Sequence, residues 1–99
     1  MDNKLKIKPC VCASHEDDYK RLKIEVEIPG VDKKDIKLDM KKDSFCISAP
    51  RSEDTEYSGC FRLAHEVVPE KTEARYESGL LKIFSPIKDW EQKVNVPIH

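Results

Sequence analysis

Apolar and charged side chains alternate with period two along much of this chain. Leu22-Lys23-Ile24-Glu25-Val26-Glu27-Ile28 alternates without a fault. That pattern turns one face of an extended segment to a core and the other to water, as in an antiparallel sheet packed on one side. Ile36-Lys37-Leu38-Asp39-Met40 repeats it, Phe45-Cys46-Ile47 and Phe61-Arg62-Leu63 are shorter versions, and Leu81-Lys82-Ile83 closes the series. Turn residues fall between the runs. Pro29-Gly30 ends the first long strand, because proline withholds a ladder donor and glycine turns the chain. Lys41-Lys42-Asp43-Ser44 predicts a hairpin connection, and Pro50, Gly59, Pro69 and Ser78-Gly79 mark later turns. The competing helical stretch, residues 31–36, is at most a single turn.

Short strands with turns every ten residues or so predict an all-β fold, an antiparallel immunoglobulin-like β-sandwich of about seven strands. Its expected bounds are residues 9–86. Residues 1–8 read as a short, frayed polar arm. Residues 87–99 read as an extension in which Trp90 sits on a polar tether and Val94-Asn95-Val96-Pro97-Ile98-His99 forms an apolar tip. A tether of this kind gains stability only by docking.

Charge narrows the function classes. The 99 residues carry 18 basic and 19 acidic side chains, a net charge of −1. Nucleic-acid binding needs clustered excess Lys and Arg, so it is not expected, and near-neutrality leaves little repulsion between copies. No apolar run approaches the roughly 18 residues of a membrane span, and Met1 to Lys6 lack the apolar stretch of a secretory signal. No membrane partner is expected, and the expected address is cytoplasmic, with reduced thiols.

Candidate chemistry is sparse. The three glycines, Gly30, Gly59 and Gly79, are too far apart for a phosphate-cradling loop. His15, His65 and His99 have no Ser or Cys nucleophile in a recognisable arrangement, and the acidic pairs Asp17-Asp18 and Glu53-Asp54 sit in solvated loops. No enzyme, catalytic residue or cofactor is expected. Cys10-Val11-Cys12 places two thiols on one face of a strand, near His15. With Cys46, Cys60 and His65 they suggest a zinc site or a disulfide, but the spacing is not that of a metal knuckle and free thiols are preferred.

Several segments resemble the α-crystallin domain of small heat-shock proteins. Glu27-Ile28-Pro29-Gly30-Val31-Asp32-Lys33-Lys34-Asp35-Ile36 is similar to the family's Leu-Pro-Gly-Val strand end. Ala74-Arg75-Tyr76-Glu77-Ser78-Gly79-Leu80-Leu81 is similar to its Ala-x-x-x-Asn-Gly-Val-Leu signature, with Ser78 for Asn and Leu80 for Val, and Phe61-Arg62-Leu63 precedes it at the family's spacing. Val96-Pro97-Ile98 resembles the C-terminal Ile-x-Ile motif. Independently of the family, Gly79 permits a positive φ, Ser78 bonds the local backbone, and small Ala74 suits a close approach of two sheets.

The resemblance implies that Val96, Pro97 and Ile98 dock in a groove between the strand at Ile36, Leu38 and Met40 and the strand at Ala74 and Tyr76. Val96 and Ile98 point the same way on an extended segment, and Pro97 lowers the entropy lost on docking. The competing expectation is that Val94-Asn95-Val96 adds locally as a last strand.

The chain also departs from the family. The seven-residue connection Pro50 to Glu56 reaches only about 25 Å and must return, too short to lend a strand to a partner. Any homo-oligomer is therefore expected to be weak and without a strand-swapped dimer. Gly59 stands where the family carries an interface arginine, and the short arm predicts weak assembly. The implied function is an ATP-independent holdase that binds unfolded or partly folded clients at open strand edges and an apolar groove. The alternative is a monomeric, partner-dedicated co-chaperone or adaptor like the CS-domain family, which a stable monomer bound to one defined partner would favour.

Overall fold

The computed structural model describes residues 5–16, 20–88 and 96–99. The alternating segments become strands, and their apolar positions face inward. Leu22, Ile24 and Val26 of β3 (Arg21–Glu27), Phe45, Ile47 and Ala49 of β5 (Ser44–Pro50), and Leu81 and Ile83 of β8 (Leu80–Pro86) are all buried in one core. Each of these except the small Ala49 contributes roughly 1.5–3 kcal/mol by leaving water.

The remaining strands are β1 (Leu5–Ile7), β2 (Cys10–Glu16), β4 (Lys37–Met40), β6 (Thr55–Arg62) and β7 (Glu73–Glu77). They form two four-stranded sheets, ordered β1-β6-β5-β4 and β2-β3-β8-β7. Among the described residues the sandwich thus has eight strands where about seven were expected. The extra one lies in the expected arm: Leu5, Lys6 and Ile7 pair with Thr55, Glu56 and Tyr57. That pairing is parallel, so the sheets are not purely antiparallel. Ile7 packs against the core, which is what holds this segment down. The helical stretch is the single 3-10 turn Lys33–Asp35. No helix among the described residues is long and apolar enough to cross a membrane.

Two turn readings change. Gly59 is not in a turn but in the middle of β6, opposite Ile47. A Cβ there would fall 3.1 Å from Cζ of Phe61, so the missing side chain is the space into which that ring folds. The β5–β6 connection is shorter than read, because β5 runs to Pro50 and β6 begins at Thr55; Arg51 and Ser52 both donate to the Thr55 carbonyl.

Candidate functional site

β4 ends one sheet and β7 ends the other, and the two edges border a common groove of about 180 Å³. Its lining is Lys33, Ile36, Leu38, Ala74, Tyr76 and Leu81. Period two explains the set: Ile36 and Leu38 share one side of their segment, Ala74 and Tyr76 share one side of β7, and buried Leu81 supplies the floor. Ile36, Leu38 and Tyr76 are half-buried and pack on the core, so the groove is an exposed continuation of the interior. The charged neighbours Lys37, Asp39, Glu73, Arg75 and Glu77 are exposed.

Hydrogen bonds fix one end of the groove. The Tyr76 hydroxyl donates to the Ile28 carbonyl at 3.0 Å, and the Tyr57 hydroxyl, from the other sheet, donates to the Pro29 carbonyl at 3.2 Å. Both bonds satisfy backbone acceptors of the loop between the sheets, which has no ladder of its own. The β7–β8 hairpin abuts the same loop. Its two turn residues have positive φ, Ser78 at 48° and Gly79 at 82°, as a two-residue type I′ turn requires. A Cβ on Gly79 would lie 3.0 Å from the Pro29 Cα.

Ile36, Leu38, Ala74 and Tyr76 therefore come together, while Met40, at the far end of β4, packs on the core and does not line the groove. Ala74 is exposed, so it is not the small residue between closely approaching sheets that its size suggested; its short side chain leaves the groove open instead. Leu80 is half-buried and lines a hollow on the outer face of its sheet with Arg75, Glu77, Lys82 and Phe84. Val96 and Ile98 are 69 % and 96 % exposed and, with Pro97, do not cover the groove. Trp90, Val94 and Asn95 lie outside the described residues. Lys33 was not legible as a groove residue; the signal is that a one-turn helix returns it beside Ile36, three positions on.

The opposite flank, between β2 and β6, holds a larger apolar cavity of about 260 Å³, lined by Val11, Ala13, Ile24, Phe45, Phe61 and Leu63 among others. The rings of Phe45 and Phe61 stack with centroids 5.1 Å apart. Near it the Nε2 atoms of His15 and His65 approach to 2.9 Å, joining β2 to the segment after β6. Of the candidate metal-ligand set, the structure brings together this histidine pair and, separately, Cys46 with Cys60.

The cysteines correct the expectation of four free thiols. Cys46 and Cys60 face each other in the β5–β6 register and form a disulfide. Cys10 and Cys12 are free and exposed. No group of three or more metal-ligating side chains occurs among the described residues.

Comparison with known proteins places this geometry. A family model described as the CS domain matches residues 13–84. No curated protein matches the chain. Among solved structures, the Del-C4 mutant of hsp14.1 from Sulfolobus solfatataricus P2 superposes with a TM-score of 0.71 at 20 % identity, covering 82 % of this chain and 76 % of that one. Heat shock protein 16.0 from Schizosaccharomyces pombe gives 0.69 at 19 % identity, covering 94 % and 99 %. HSP18.5 from E. histolytica gives 0.72 at 17 % identity, covering 93 % and 99 %. At these identities the likeness is one of fold: the sandwich is of the α-crystallin type.

Proposed function

From the premise that the chain belongs to the CS-domain family, we propose that it binds apolar segments of other polypeptides in the β4–β7 groove and so holds unfolding chains back from aggregation. The observation that carries this reading is the apolar groove itself, an extension of the core that opens between two strand edges. An unfolding client offers what such a groove takes up, apolar side chains on an extended backbone. The step is an equilibrium of burial and needs no nucleotide or other cofactor. Val96-Pro97-Ile98 is, on this reading, a competing occupant that docks from its own or a neighbouring copy. Two buried aliphatic side chains contribute about 3–6 kcal/mol before ordering costs, so clients displace it.

Light scattering from a heated client tests the proposal. The native chain should suppress aggregation at stoichiometric ratios, and the double variant Ile36→Ser/Leu38→Ser should lose that effect while remaining folded. Unchanged client aggregation at an excess of native chain sinks the reading.

A second reading, a module dedicated to one folded partner, is favoured by the family match over residues 13–84. It predicts a complex of defined ratio with a single native protein and no protection of heated clients. A cytoplasmic setting belongs to both readings.

A further inference from the structure

Among the described residues the sandwich has four edge strands, β1 and β4 in one sheet and β2 and β7 in the other. Three are blunted in ways that discourage pairing with another chain. β1 is only three residues long and carries Lys6; β4 is four residues long and carries Lys37 and Asp39; β7 carries Glu73, Arg75 and Glu77 within five residues. Shortness and charge are how soluble sheets keep their edges single. β2 has neither protection. It is seven residues long, and Cys10-Val11-Cys12-Ala13-Ser14-His15 carries no Asp, Glu, Lys or Arg; Glu16 alone is charged, at the last position. Glu16 is moreover engaged within its own sheet, 3.0 Å from Arg21 and 3.6 Å from Lys23.

From this contrast we infer that β2 is a homodimer interface, at which two copies of the chain pair their β2 edges antiparallel and join two four-stranded sheets into one of eight strands. A second copy is the occupant because a two-fold interface sets an edge against itself, and only an edge that tolerates its own charges can do that. In the register that pairs β2 over its full length, Ala13 faces Ala13 of the other copy, Cys12 faces Ser14, Val11 faces His15 and Cys10 faces Glu16. No like charges meet. The same full-length pairing of β7 sets Arg75 against Arg75 and Glu73 against Glu77, which is destabilising. Nor is the edge filled by a strand lent from a neighbour's β5–β6 connection, because residues 51–54 are all that link those strands, a reach of about 14 Å at full extension. The inference does not depend on the holdase reading, since it concerns self-pairing and not clients.

The register makes the test specific. Native mass measurement should show a dimer of twice 11.5 kDa that dissociates on dilution. Cys12→Lys/Ser14→Lys, two exposed sites, opposes like charges twice across the interface and should abolish the dimer while leaving the circular dichroism of the fold intact. Mixing it with Cys12→Glu/Ser14→Glu should restore a heterodimer. A short bis-maleimide should link native chains in pairs through Cys12, which lies diagonal to its own copy; the link should survive Cys10→Ser and vanish in Cys12→Ser. A monomer at every concentration overturns the inference. So does a dimer undiminished in the lysine variant, and so does a dimer that disappears when the chain is cut before Val94, which would put the contact at the C-terminal motif.

Discussion

On the β4–β7 flank, charged side chains line the strand edges and an apolar groove opens between them. On the β2–β6 flank the edge strand carries no Asp, Glu, Lys or Arg over residues 10–15, and the cavity behind it is lined mainly by aliphatic side chains together with Phe45 and Phe61. The two flanks thus offer opposite surfaces. The first surrounds an apolar groove with charged side chains; the second exposes Cys10, Cys12, Ser14 and His15 along its edge strand. They also differ in how they are held. Hydrogen bonds from Tyr57 and Tyr76 fix the groove, whereas β6, beside the other flank, is tied to β5 by the Cys46–Cys60 disulfide. On the proposed reading, the apolar lining around buried Phe45 serves packing and that of the solvent-open β4–β7 groove serves recognition.

This contrast is open to direct attack. The largest effect should come from Phe45→Ala, which removes a side chain only 1 % exposed from the β2-flank cavity. A loss of about 3–5 kcal/mol is expected in urea unfolding, against about 1 kcal/mol for the groove variant Leu38→Ala, which empties half-buried surface. Equal losses would remove the distinction between packing and recognition.

Reduction of Cys46–Cys60 should come next. Opening a link of sequence separation 14 costs about 3 kcal/mol by loop entropy. Thiol titration should find two reactive groups in the native protein, Cys10 and Cys12, and four after reduction. Four in protein drawn directly from cells would mark a reducing compartment. The smallest effect belongs to Tyr76→Phe, which should cost about 1 kcal/mol through the lost bond to Ile28. It should also raise hydrogen exchange at the Ile28–Gly30 loop and leave the β2 flank unmoved.

The alternation of β3, β5 and β8 was legible because burial of one sheet face imposes period two on the residues themselves. Ser78-Gly79 was legible because a two-residue hairpin turn needs positive φ. Ile36, Leu38, Ala74 and Tyr76 were legible as one groove through a family resemblance, and the fold brings them together. Ala74 and Gly59 were misread, since a small residue leaves equal room for a sheet contact, a turn or a neighbour's ring, and only the neighbours choose among these.

Local patterning by itself determined the fold class, most strand positions and the corner at Pro29-Gly30, all of which depend on residues within a few positions of one another. Tertiary structure alone decided the β1 pairing, the disulfide partners, the meeting of His15 with His65, and which strands stand at the edges of the two sheets. Those depend on strand order, and strand order is set by summed contacts between segments far apart in the chain, for which the alternation of any one segment carries no record.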